Sequence, residues 1–344
     1  MNKTIYSIDE ILNLWDMKSD IKERKKEIIS SWKEILDDDT YNMLLEITKE
    51  IIFYSDDKVG MYFKDIFPKE KEENNNGNCL FFGDEDQLLV SRLSEFEIAK
   101  ANYYPLRTEE RVESSNTIFL NFYKSIGIPV AYTKMDKPDF LLEKKLQFEE
   151  VVNTYEEILA IDEDEEISEE YVNYVHENYK LFELEYIFFV DDFFGSGSSV
   201  RDFLLSLEKY YPIFRKVTLV FLVLEISQNA IDILTKVSKE KGIRFIVIYY
   251  RLSSNIFYTL YEGEKLDEII NKVKKFNIDF ELKESDYCIN NIAVSYVNSP
   301  NNNVPFIYFK SNKWSPIFYR EEKRDLPKPS KKKIREKLKK SRGK

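Results

Sequence analysis

The sequence predicts an α/β fold, a parallel sheet flanked by helices, with a helical region ahead of it. Three observations carry this. Apolar runs at 186–190, 217–224 and 245–250 are too short for helices and are bounded by turn residues. Amphipathic helical patterns follow them at 199–211, 228–239 and 264–275. Apolar strands that alternate with amphipathic helices imply parallel strands buried on both faces. The first 67 residues, by contrast, carry their apolar residues at helical spacing.

In that first region Ile28, Ile29, Trp32, Ile35 and Leu36 mark one helix. Asp37, Asp38, Asp39 and Thr40 are capping residues for a second, whose stripe is Met43, Leu44, Ile47, Ile51 and Ile52. A third helix is expected over Asp56–Phe67, ending at Pro68. These helices read as a packing region. Residues 69–78 are polar and lack periodicity, as a linker or exposed loop would. Cys79-Leu80-Phe81-Phe82 reads as the first buried strand, and Gly83-Asp84 ends it. Leu88–Tyr104 is ambiguous. Ser114-Ser115-Asn116 precedes the apolar segment Ile118–Ile126, as a cap precedes a helix. Residues 138–182 read as helices around the acidic run Asp162–Glu170, a solvated face without metal-ligand spacing. Ile292–Val297 is expected to add a late strand. The chain is therefore expected to divide into a helical region at 1–68, an α/β domain at 69–321 and a basic, disordered tail at 322–344.

The chain has 344 residues, 43% hydrophobic and 15% aromatic, enough to bury a sizeable core. Cys79 and Cys288 supply neither a disulfide framework nor a CxxC knuckle. No leader and no apolar run of membrane-spanning length is recognised, so a cytoplasmic protein is expected. The net charge of −11 is uneven. Lys323–Lys344 hold 12 basic against two acidic residues, a net of +10, which leaves −21 on the other 322. Such an acidic body does not attract nucleic acid over a broad face; only the tail could do so.

The chemistry is concentrated in Tyr186-Ile187-Phe188-Phe189-Val190-Asp191-Asp192-Phe193-Phe194-Gly195-Ser196-Gly197-Ser198-Ser199. The apolar strand delivers the loop to the carboxyl edge of the sheet, where such folds bind ligands. Asp191 and Asp192 leave the strand at its end, placed for vicinal hydroxyls or a magnesium shell. Gly195 and Gly197 allow close backbone approach. Ser196, Ser198 and Ser199 add hydroxyl donors, and the next helix points its N–H groups and dipole at an anion. A diol and a phosphate are thereby held close together, as in a ribose 5-phosphate. A Walker loop would need Gly-Lys-Ser/Thr, and a dinucleotide loop would have its glycines directly after the strand.

The motif resembles the phosphoribosyl-pyrophosphate motif of type I phosphoribosyltransferases. Trp32, Ser114-Ser115, the loop Asn298–Pro305 and Trp314-Ser315-Pro316-Ile317-Phe318-Tyr319-Arg320 narrow the likeness. Over residues 29–321 the chain resembles a divergent phosphoribosyltransferase-like family of bacterial conflict (anti-phage defence) systems. The resemblance implies that Asp191 and Asp192 hold the ribose hydroxyls and that Gly195–Ser199 hold the 5-phosphate. It implies phosphoribosyl pyrophosphate or a related nucleotide as ligand, Mg2+ as cofactor, and a partner protein in a defence system. Two readings stay open: a transferase, and a nucleotide-sensing module without turnover. The diphosphate and base ends lack an equally clear signature. Arg107, Arg111, Ser114 and Ser115 are candidates for the diphosphate end, and Asn301 and Asn302 for a base or phosphate. A salt-bridge cluster and an Asn-rich turn are the plainer readings of these residues. His176, the one histidine, lies in a Tyr/Asn/Glu-rich helical segment that does not mark it as catalytic.

Overall fold

The computed structural model describes residues 6–68, 78–83, 86–106, 114–134, 138–161, 167–283, 288–297, 299–300 and 302–320. The strands are β1 (Ile52–Tyr54), β2 (Asn78–Phe82), β3 (Ala101–Pro105), β4 (Tyr186–Phe194), β5 (Thr218–Ser227), β6 (Phe245–Ser253) and β7 (Ala293–Ser295). Five of them form the central sheet in the order β2-β6-β5-β4-β3. β3 through β6 run parallel, and β2 closes one edge antiparallel to β6.

The alternation along the strands explains the layers. In β4, Ile187 and Phe189 face one core, where Phe203, Leu204, Ala230, Leu234 and Leu142 pack from the helices Ser198–Ser206, Gln228–Lys241 and Asp139–Ile161. Tyr186, Phe188 and Val190 face the other, against Val59 and Phe63 of the helix Asp56–Ile66 and Ile118 and Phe122 of Ser114–Ile126. Every residue of β5 is buried, as a central strand covered on both faces requires. The parallel sheet with helices on both faces is as the sequence predicts.

Several elements differ from expectation. The second N-terminal helix ends at Lys49, and Ile52-Phe53-Tyr54 form a strand instead. β-branched and aromatic residues suit a strand, and β7 supplies a parallel partner for them. The late strand is real but joins β1 in a separate two-stranded sheet. β2 is an edge strand in which only Phe82 is buried. Asp37 caps the Asp38–Lys49 helix, its side chain accepting from Thr40 N at 2.8 Å. The ambiguous stretch holds the helix Asp86–Ser94 and β3.

A third core unites the N-terminal helices with the C-terminal elements. Trp15, Ile29, Trp32 and Leu44 pack with Phe276, Phe306, Trp314 and Phe318. Trp32 stacks on Trp314 with centroids 4.7 Å apart. Residues 69–77, the acidic residues 162–166 and the tail at 321–344 lie outside the described residues. Among the described residues no helix is long and apolar enough to cross a membrane.

Candidate functional site

β4 continues past Val190 to Phe194, so Asp191 and Asp192 lie inside the strand and not beyond its end. Pairing with β5 extends the strand: Asp191 is level with Val223, and Phe193 with Glu225. Both carboxylates are largely buried, 9% and 8% exposed. They diverge. Asp191 Oδ1 accepts from Ser115 Oγ at 3.2 Å, at the start of the Ser114–Ile126 helix. Asp192 Oδ2 accepts from Ser295 Oγ of β7 at 3.1 Å, and its Oδ1 from Phe193 N at 3.0 Å.

The loop that follows is held from below by Ser227, the last residue of β5. Ser227 Oγ donates to the Gly195 carbonyl and accepts from Ala230 N at 3.1 Å, capping the Gln228–Lys241 helix. Gly197 has φ +75°, and a Cβ there would lie 2.8 Å from Ala230 Cα. Glycine is thus required twice over, by backbone conformation and by the approach of the neighbouring helix. Gly197 begins the Ser198–Ser206 helix, whose first N–H groups face the loop. Ser196 Oγ shares a hydrogen bond with Ser198 Oγ and accepts from Ser198 N at 3.3 Å.

Asn302 closes over this loop. It is 2% exposed, and among the described residues neither Nδ2 nor Oδ1 has a hydrogen-bond partner. A Cβ on Gly195 would stand 2.5 Å from Asn302 Nδ2, so the amide rests directly on the glycine. Its backbone is fixed: Asn302 O accepts from Ile289 N at 3.0 Å and from Asn291 N at 3.1 Å. Asn303 Nδ2 donates to Ala293 O at 2.7 Å.

The structure thus brings Asp191, Asp192, Gly195–Ser199, Ser115 and Asn302 together at the carboxyl edge of the sheet. Arg107, Arg111 and Asn301 lie outside the described residues, as does the Ser114 side chain. The residues bounding 107–113 are fixed beside β4: Leu106 N donates to Val190 O at 2.9 Å, and Ser115 meets Asp191. His176 is exposed on the helix Glu169–Glu177. Two surface hollows, about 420 Å3 against Trp32 and Trp314 and about 230 Å3 against Tyr6 and Lys49, lie among the N-terminal helices, away from this loop.

The sequence matches the PRTase-CE family over residues 29–320. The chain belongs to this phosphoribosyltransferase-like family. No curated protein and no solved structure matches it. In this PRTase-CE member the matched span holds the whole loop, both aspartates and Asn302.

That span also contains a buried polar group with no motif of its own. Glu225 of β5 is 1% exposed and accepts from Tyr54 Oη, from Asn291 Nδ2 at 3.3 Å and from Arg251 Nη1 at 3.5 Å. Burial pushes its carboxyl above the usual range, against the opposing pull of Arg251 and of the hydroxyl and amide donors. Burial, reinforced by the Glu225 carboxylate, likewise drives the Tyr54 phenol far upward. The available signal was a single glutamate in the otherwise apolar run Leu219–Ile226.

For a metal, the donor set offers carboxylate and hydroxyl oxygens, which suit a hard cation such as magnesium. Among the described residues no three His, Cys, Asp or Glu converge to hold an ion. Asp191 and Asp192 point apart, so they fit contact with an ion through its water shell and not a closed protein cage.

Proposed function

We propose that this chain binds phosphoribosyl pyrophosphate or a related ribose 5-phosphate nucleotide, and transfers the phosphoribosyl group. In this reading the Gly195–Ser199 loop takes the 5-phosphate. The N–H groups and dipole of the Ser198–Ser206 helix stabilise it. Asp191 and Asp192 accept from the ribose hydroxyls, in the places where Ser115 and Ser295 now donate. The observation that carries the reading is Asn302, a buried amide with no partner set against the glycine of a helix-start loop. A buried polar group without a partner costs about 1–3 kcal/mol, which a ligand would relieve.

In the transfer the bond between C1 and the diphosphate oxygen breaks, the diphosphate leaves with that electron pair, and a nucleobase or nucleotide acceptor bonds to C1 through its own lone pair and releases its N–H or O–H proton to solvent. Positive charge develops on the sugar ring, and nearby carboxylates stabilise it. Magnesium, held through water by Asp191 and Asp192, would neutralise the leaving diphosphate. The setting, a bacterial defence effector in the cytoplasm acting with a partner protein, rests on family resemblance. Nucleic-acid contact, if any, is assigned to the basic tail.

The deciding variant is Asp191→Asn with Asp192→Asn. It keeps the hydroxyl-accepting shape but removes both charges. Calorimetry with phosphoribosyl pyrophosphate and magnesium, then diphosphate release against a nucleobase and nucleotide panel, should show loss of turnover with an unchanged circular dichroism spectrum. Wild-type turnover in the double variant would sink the reading.

A sensing role has its own support. The 289–304 strap that carries Asn302 also carries β7, which pairs with β1 next to the N-terminal helices. A ligand that moved Asn302 would act on that connection. Saturable binding without diphosphate release selects this alternative.

A further inference from the structure

Past the carboxyl ends of β4, β5 and β6 positive charge is scarce, and the arginines that follow β3, Arg107 and Arg111, lie outside the described residues. Across 186–199, 218–235 and 245–264, Arg251 is the only lysine or arginine. It stands at the end of β6, paired in register with Glu225, which is itself level with Phe193. Arg251 is therefore one step past the acid pair and two strands across, roughly 10 Å away at ordinary strand spacing.

Its side chain is 34% exposed, whereas that of Glu225 beneath it is 1% exposed. One edge of the guanidinium faces Glu225 and Tyr54. Among the described residues it has no other partner. A guanidinium set over a buried carboxylate with an open edge is suited to bidentate capture of a phosphate or carboxylate. Burying the supporting carboxylate costs several kcal/mol, and replacing such pairs by apolar residues is often neutral or stabilising. The cost points to a use for the orientation.

The loop at Gly195–Ser199 offers dipoles and hydroxyls to one phosphate only. A ligand with a second anionic group, entering beside Asp191 and Asp192, meets repulsion unless a cation receives that group. Building on the ribose-phosphate reading, we infer that Arg251 anchors a second phosphate-class anion at the far end of the ligand, with Glu225 as its positioning residue. That anion belongs either to the donor's diphosphate or to a phosphorylated acceptor.

The test is calorimetry on the full chain, wild type against Arg251→Ala, Arg251→Lys and Glu225→Gln. Ribose 5-phosphate is titrated first, then phosphoribosyl pyrophosphate with magnesium, then inorganic diphosphate onto protein saturated with ribose 5-phosphate. In Arg251→Ala, ribose 5-phosphate should bind within twofold of wild type. One of the two diphosphate titrations should weaken tenfold or more, as loss of a charge-assisted bond predicts. Weakening with phosphoribosyl pyrophosphate assigns the donor's diphosphate; weakening only in the last titration assigns an acceptor. Arg251→Lys, which keeps the charge but not the fork, should fall between, and Glu225→Gln should weaken the same titration. An unchanged response in both diphosphate titrations, or an equal loss with ribose 5-phosphate, overturns the inference. Should Arg251→Ala fail to fold with Glu225 unpaired, the same readings are taken on Arg251→Ala with Glu225→Gln. Wild type that binds no ribose 5-phosphate overturns the parent reading, and this one with it, before any variant is compared.

Discussion

Replacing Asn302 by alanine should separate ligand binding from stability. A buried asparagine normally has its hydrogen bonds made, and truncating it costs stability. Here both amide atoms are buried and unpartnered. Removing the unpartnered amide relieves about 1–3 kcal/mol. The void left behind, a few tens of Å3 at about 24 cal/mol per Å3, costs on the order of 1 kcal/mol. Asn302→Ala is therefore expected to leave stability unchanged or to raise it by about 1–2 kcal/mol. Ribose 5-phosphate affinity should fall about tenfold, the worth of one hydrogen bond to a charged group. Gly195→Ala supplies the complementary perturbation. Its new Cβ would lie 2.5 Å from Asn302 Nδ2 and 2.8 Å from Cγ, an overlap worth about 1–3 kcal/mol. In the double variant the amide and Cγ are gone and only the Cβ of residue 302 remains, 3.1 Å from the new methyl, so the two changes should couple by about 1 kcal/mol. Urea unfolding at constant slope gives the stabilities, and calorimetry gives the affinities. If Asn302→Ala costs more than about 2 kcal/mol, or if the double variant is additive, the amide is not an unpaired group resting on Gly195 and the reasoning fails.

Two further outcomes follow from the same edge of the sheet. Gly197→Ala should destabilise by about 2–5 kcal/mol, because φ +75° is strained for alanine and the contact it makes is with the Ala230 backbone, which no side-chain change relieves; a urea-unfolding loss below about 1 kcal/mol would contradict this. Glu225→Gln should flatten the pH profile of stability. With its folded pKa above the unfolded value, Glu225 contributes stability at low pH that is lost as pH rises past the ordinary carboxylate range. The melting temperature of the glutamine variant relative to wild type should thus rise between about pH 4.5 and 8; a difference independent of pH would show that Glu225 is ionised in the folded protein over that whole range.

The sheet was legible because its strands begin in apolar runs: 186–190 and 245–250 fall inside observed strands, and 217–224 overlaps the strand that starts at Thr218. Their carboxyl ends were not. Phe193-Phe194, Glu225-Ile226 and Arg251-Leu252 extend the ladder by pairing with one another, a nonlocal gain that periodicity does not register. β1 was missed for the same reason. Ile52-Phe53-Tyr54 follows a helix without a break in apolar content, and only β7, some 240 residues on, makes it a strand. In the loop, the type and spacing of Gly195–Ser199 announced close approach, whereas the partners that use it, Ser227, Ala230 and Asn302, are fixed by tertiary packing.

The divergence of the acid pair gives that packing a functional sense. The two neighbouring aspartates address two different neighbours. Asp191 reaches the helix that follows residues 107–113, and Asp192 reaches β7. β7 in turn is bound to β1, and the strap beyond it returns to Gly195 through Asn302. Had the strand ended at Val190, both carboxylates would have been loop residues free to converge on one group. Inside the strand they tie Ser115 and Ser295 to the two sides of the Gly195–Ser199 loop. In the proposed reading, a ligand in this loop acts on both flanks at once. That is the geometry a transferase needs to align donor and acceptor, and equally what a sensor needs to pass ligand binding on to its N-terminal helices.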